Sequence, residues 1–406
     1  MKKFIIILTL GVTISTVPLF GQTGWVVTDK MDVGKSWLAD HGIELETVYK
    51  GEIWANLRGG ISTGHTHMHD IDVTALFDTG KLGMWDNGEF FIYVLSTQGG
   101  SLLSEEIVGD TQIVSHIEAP HSTRIYEMWY EHHFFHDKLS LLFGIHDLNS
   151  ELAVTEYGSL FINSSFGIPI DFSDGARPGI FPLAAPALLA EYSPNESWDF
   201  MLGIYNGDPG DPSIQKHLPK FTFSSNDGVL IDFETAYHFA ADTLPGTVKF
   251  GYWRNTGEFE DVLETNSEGT PIIHSGNQGI YFVADKVVYD QGDGQGLAGF
   301  LQLGWAPDED INEFGSYLGG GIKYTGLVPH RNMDEFGFAV AHARLSNKLA
   351  SEPGYDNSET ILEITYKAIF NKYLALQPDV QFILNPSADS NLGNAVVLGA
   401  RLEVIL

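Results

Sequence analysis

Residues 43–58 alternate without a break. Ile43, Leu45, Thr47, Tyr49, Gly51, Ile53, Ala55 and Leu57 share one parity; Glu44, Glu46, Val48, Lys50, Glu52, Trp54, Asn56 and Arg58 share the other. Successive side chains of a strand point to opposite faces, so the run sorts into one apolar and one polar face. It is far longer than the ~5–6 residues of an ordinary strand, and long enough for the ~9–11 residues that a tilted strand needs to cross a bilayer. The same design recurs at 124–135, where Glu127, Trp129, Glu131 and His133 alternate with Tyr126, Met128, Tyr130 and His132. The wet face of a soluble strand seldom sets Trp between two carboxylates. A wall with lipid outside and a water-filled lumen inside accounts for both faces.

The remaining chain extends the pattern. Hydrophobic residues make up 43% and charged residues 18%. Beyond the N-terminal segment no run reaches the ~18 apolar residues of a membrane helix. Alternating segments are expected at 43–58, 69–78, 89–96, 124–135, 139–146, 187–193, 198–206, 230–239, 247–255, 279–289, 297–306, 314–327, 336–346, 360–370, 374–384 and 396–406. They predict an all-β fold, a closed antiparallel transmembrane barrel of about sixteen strands, even-numbered as bacterial barrels are. Short turns such as 136–138 and 371–372 alternate with long connections at 98–122 and 149–186, as periplasmic turns alternate with outer loops. The final strand can close on the first and leave no edge.

Met1-Lys2-Lys3 followed by an apolar stretch and a small residue before Gln22 reads as a signal peptide over 1–21. Residues 22–42 form a polar periplasmic lead and 43–406 the barrel. The chain has no cysteine, which removes disulfides, Cys-zinc sites and Cys nucleophiles. The net charge of −31 argues against a nucleic-acid partner, which needs a basic surface.

Several segments resemble the carbohydrate-selective, OprB-like porins of the outer membrane: RIYEMWYEHHFF at 124–135, SLLFGIHDLNSELA at 140–153, GSLFINSSFGIPI at 158–170, FPLAAPALL at 181–189, GIYNGDPG at 203–210 and ETILEITYKAIFNKYLALQPDVQFILNPS at 359–387. The resemblance implies a sixteen-stranded barrel in the outer membrane of a Gram-negative-type bacterium. It passes sugars by facilitated diffusion through a narrow polar lumen, contacts outer-membrane lipids, and is open to assembly as a homo-oligomer. The chain departs from the family in two respects: it ends in Leu406 rather than an aromatic residue, and it is acidic where the family's sugar eyelet is described as basic.

A sugar channel needs charged hydrogen-bonding groups for hydroxyls and flat aromatic faces for rings. Parity turns Glu44, Glu46, Glu52, Trp54, Asn56, Arg58, Glu127, Trp129, Glu131, Asp232, Glu234, Arg401 and Glu403 inward, where each either meets solute or merely holds lumen water. The connection 149–186 is unusually apolar around Phe161, Asn163 and Phe166, which predicts a constriction loop folded into the lumen, with Arg177 entering the pore or pairing with Asp171 or Asp174.

Competing readings use the same residues. The acidic balance suits a general, cation-preferring pore. An outer-membrane barrel enzyme would need a nucleophile–base or paired-carboxylate cluster, for which no motif exists; Asp78-Thr79-Gly80 has no second copy. No cofactor and no metal site is expected: His65, His67 and His69 lie in a loop without a second ligand group, and Asp290-Gln291-Gly292-Asp293-Gly294 lacks the closing Glu of a calcium loop.

Overall fold

The computed structural model describes residues 35–100, 102–222, 224–240 and 244–406. The signal peptide expected at 1–21 and most of the lead at 22–42 lie outside them; residues 35–40 are helical. Sixteen antiparallel strands follow in chain order, each bonded to its sequence neighbours, and β1 (Ile43–Gly60) pairs with β16 (Gly393–Ile405) to close the ring. Closure satisfies every ladder internally, which hydrocarbon demands.

The two faces separate as parity predicts. In β1, Ile53 is 66% exposed on the outside while its neighbour Trp54 is 2% exposed on the inside. Phe143, Leu188, Leu318 and Leu398 continue the exposed apolar belt around the ring. Among the described residues no helix is long and apolar enough to cross a membrane; the strands do the crossing.

Four local features depart from the sequence reading. β2 starts at Gly64, so the tract His65–His69 is strand rather than loop. His65, His67 and His69 then share the outward parity with Ile71 and Val73, because only residues 61–63 are needed to turn from β1. In β4 (Ser122–Phe134), Tyr93 of β3 (Gly88–Gly99) pairs with Glu127 but Val94 pairs with Ile125. Tyr126 is the extra residue of this bulge and turns inward, where its hydroxyl donates to Asp147. A second bulge, between Asn56 and Arg58, sets Arg58 opposite Val396 on the outward parity, exposed at the rim. Finally, β9 (Gly246–Thr265) and β10 (Pro271–Gly292) run far beyond the expected 247–255 and 279–289. Their extensions, such as GEFEDVLE, are polar on both faces and lack the apolar parity that marks a lipid-facing strand.

The packed core lies inside the barrel. The connection between β5 (Leu139–His146) and β6 (Ala185–Asn195) enters the lumen as three short 3₁₀ turns and α1 (Ile170–Ala176). Phe161 and Phe166 pack against Phe300 of β11 (Gln295–Trp305), and Phe172 of α1 stacks on Trp253 of β9 and Tyr281 of β10. Room for them comes from small inward residues on β13 (Glu335–Leu345): Gly337, Ala339, Ala341 and Ala343. A Cβ at Gly337 would stand 2.8 Å from the Phe161 ring. The connection between β3 and β4 joins this core through Leu103, Ile107 and Val114, so two loops narrow the lumen rather than one.

Candidate functional site

A loop inside a barrel must find partners for its backbone N–H groups without the help of bulk water. Here inward carboxylates of the wall supply them. Glu363 of β14 (Ser358–Asn371) accepts from the amides of Ile162 at 2.7 Å and Asn163 at 3.0 Å. Glu359, four residues earlier, takes Thr111 and Gln112 of the other loop. Glu234 of β8 (Val229–Phe239) accepts from Ala153, and Asp285 of β10 accepts from Tyr157 and the Thr155 hydroxyl. Gln377 and Gln381 of β15 (Leu374–Leu384) donate to the carbonyls of Leu160 and Val114. The loops also bind each other, His116 N–H to Ile162 O at 3.0 Å. These polar wall residues hold both loops against the inner face of the barrel.

A second set of inward polar residues lies on the half of the wall nearer the short turns. Lys50 of β1 lies 2.7 Å from Asp72 and 3.5 Å from Asp70. Lys367 of β14 meets Glu403 at 2.9 Å, Lys323 of β12 (Phe314–Thr325) meets Glu335 at 2.7 Å, and Lys249 of β9 meets Glu234 at 3.6 Å. All four lysine side chains keep part of their surface exposed. Arg401 donates to Glu52 at 2.6 Å and to His116 Nε2 at 2.9 Å. Burial and the adjacent Arg401 hold the His116 imidazole well below its usual range, so it serves as a neutral acceptor. On the loop side Glu151 and Glu156 face the lysines. Burial, with the Glu191 and Glu131 carboxylates nearby, pushes the Glu151 carboxyl up to about 8. Lys323 also sits 5.5 Å from the Tyr157 ring centre. The lumen therefore presents paired donors and acceptors.

The residues picked from parity divide into three groups. Glu46, Glu131 and Glu403 stay partly exposed on the inward parity, and Glu44 lies exposed at the short-turn end of β1. Glu52, Trp54, Asn56, Glu127, Trp129, Asp232, Glu234 and Arg401 point inward but are sealed under the loops. The Trp54 indole N–H donates to Glu52 and that of Trp129 to Glu127; both rings pack in the core and offer no face to a solute. Asp232 and Glu234 accept from Tyr281. Arg58 leaves the set through its bulge. In the loop, Phe161, Asn163 and Phe166 are buried anchors. Arg177 pairs with neither Asp171 nor Asp174: it donates to the Glu258 carbonyl and lies 3.9 Å above the Phe259 ring. The lysines were missed although each has inward parity, because acidic residues dominate the composition. Only the tertiary structure shows that Lys50, Lys249, Lys323 and Lys367 each stand beside an inward carboxylate.

Residues 62–406 match the family described as carbohydrate-selective porin, OprB family. Porin B of Pseudomonas aeruginosa is 25% identical over 413 aligned residues, spanning 91% of this chain and 88% of that protein. A putative porin, QuiX, of Acinetobacter baylyi is 19% identical and spans 90% of each. The high-pH structure of Pseudomonas putida OprB superposes with a TM-score of 0.81 at 21% identity, covering 93% of this chain and 97% of that one. The match over most of the chain and the closed sixteen-stranded ring agree, and the chain belongs to the OprB family of carbohydrate-selective porins, a channel of the outer membrane.

Proposed function

We propose that neutral, hydroxyl-rich solutes pass by facilitated diffusion along the rows of Lys50, Lys249, Lys323 and Lys367 and their carboxylate partners. The observation that carries this reading is the pairing itself. Each ammonium stands within 2.7–3.6 Å of a carboxylate, so the partly exposed lysine donors, with Glu403 as a partly exposed acceptor, sit in a largely cancelled local field. Hydroxyls exchange water for such groups at little cost, whereas a small ion gains no net potential. No covalent step is involved, and the exposed apolar belt of Ile53, Phe143 and Leu318 is the surface offered to outer-membrane lipid.

Swelling of liposomes carrying the channel, with sugars set against salts of similar size, tests the reading. Sugar flux is expected to exceed salt flux and to fall in Lys323→Met and Lys367→Met. Equal permeation of stereoisomers and salts, unaffected by both variants, refutes it. The alternative of a general cation-preferring pore rests on the charge of −31. The pairs disfavour it, because an ammonium beside each of these carboxylates offsets the negative charge that would attract a cation.

A further inference from the structure

We propose that Glu89, Glu131 and His133 form a binding site for a divalent transition-metal ion on the lumen wall at the short-turn rim. Glu89 of β3 and Glu131 of β4 are directly paired in register, and His133 lies two residues further along the same inward face. One ligand atom from each falls within 4.8 Å of the others. Zinc takes His nitrogen and carboxylate oxygen at about 2.0–2.2 Å, so small rotations of two glutamates bring this set to coordination distance.

Three observations single out the cluster. First, like charges directly opposite on a sheet repel, and Asp78 on β2 (Gly64–Asp78), paired with Glu89 from its other side, adds a third carboxylate. At Asp72, Glu335 and Glu403 a Lys answers such repulsion, whereas among the described residues no Lys or Arg is bonded to Glu89 or Glu131. Second, Glu89 Oε2 is sealed from solvent and has no hydrogen-bond partner among the described residues. Third, His133 Nε2 stands 3.8 Å from Glu131, beyond hydrogen-bond range, with 24% of its side chain open to the lumen, which provides an entry path. The comparable triad Asp261, His274 and Asp310 shows the contrast. There Lys348 Nζ sits 2.9 Å from Asp261 and 2.6 Å from Asp310, so a cation of the chain already occupies the centre. His65, His67 and His69 do not compete structurally, since alternate residues of one strand stand about 6.6 Å apart.

The mixed imidazole–carboxylate set favours Zn²⁺ over Mg²⁺, which prefers oxygen alone. A bound dication would offset the acidic rim at that mouth of the pore. The purified full-length channel in detergent, stripped with chelator, is titrated with Zn²⁺ in a calorimeter. One ion per chain with a micromolar Kd is expected. His133→Ala and Glu89→Gln should each weaken binding by more than about tenfold, the least that loss of even an outer partner tends to cost. The heat-modifiable gel shift of the folded barrel verifies that these variants fold, and Glu131→Gln provides a milder third. Binding should survive in the His65→Ala/His67→Ala/His69→Ala channel. Absence of saturable micromolar binding, or binding lost in the triple variant and kept in His133→Ala, overturns the proposal. Sugar permeation is measured separately, so either result leaves the transport reading distinguishable.

Discussion

Glu363→Ala tests how the constriction is held. The Glu363 carboxylate is fully buried and takes two loop amides, Ile162 at 2.7 Å and Asn163 at 3.0 Å. A buried donor left without its acceptor costs ~1–3 kcal/mol, so losing both amide contacts costs the docked loop about 2–6 kcal/mol. Removing the buried carboxyl also relieves its own desolvation, which places the net effect toward the lower end. At about 1.4 kcal/mol per tenfold, docking should weaken by roughly two orders of magnitude. The loop keeps other anchors: Leu160 O to Gln377, Ser165 O to Tyr317, Asn163 to Gln381, and the Phe161–Phe166–Phe300 contact. It should therefore loosen locally while the barrel stays closed. Hydrogen exchange at residues 160–166 should speed up about a hundredfold, with β-ladder amides unchanged. Single-channel conductance should rise and become noisier. Glu363→Gln retains one acceptor oxygen and should fall between. Unchanged exchange at Ile162 and Asn163 with unchanged conductance would refute the claim that wall carboxylates set the pore.

Three further outcomes follow from the same geometry. Glu151 titrates near 8 in the folded channel against an ordinary value of 4.5. A raised carboxyl binds more protons folded than unfolded, so its burial costs stability increasingly from about pH 4.5 to 8 and no more above that. Above pH 8 the added negative charge should raise cation preference in reversal-potential measurements, a step that Glu151→Gln removes. Gly304→Ala would place a Cβ 2.1 Å from the Asp171 carboxylate, a group that burial already pushes up to about 8. Overpacking of this kind costs ~1–3 kcal/mol, and a lowered heat-modification temperature on gels would register it. Trp54→Ala removes a buried ring that lies against Gly399 and should cost about 3–5 kcal/mol of stability, measured by the same shift, while the relative rates of different sugars stay the same.

Parity settled much from sequence, because a strand has only two faces and lipid accepts only one kind. Ile53 outside and Trp54 inside needed no coordinates, the same reasoning predicted a ring of sixteen strands, and the apolar content of Phe161–Phe166 predicted an inward loop. Parity fails wherever one residue is added. Tyr126 and Arg58 each change face at a bulge, and nothing in their neighbours' alternation marks it. The β9–β10 extension was unreadable for a related reason: with water on both sides neither face need be apolar.

Inward is also a weaker statement than lumen-lining. Residue by residue, Glu234 and Glu403 look alike in the sequence: acidic, alternating with apolar neighbours. Only the fold of two loops separates them, sealing Glu234 as an anchor and leaving Glu403 beside Lys367 in open water. The amino-acid sequence by itself determined a closed barrel, its two faces and its place in a membrane, since those follow from local periodicity and the solvent. The tertiary structure decided which polar residues hold the loops and which meet the solute. That choice depends on contacts between residues some 200 positions apart, such as Asn163 and Glu363, and no local pattern encodes them.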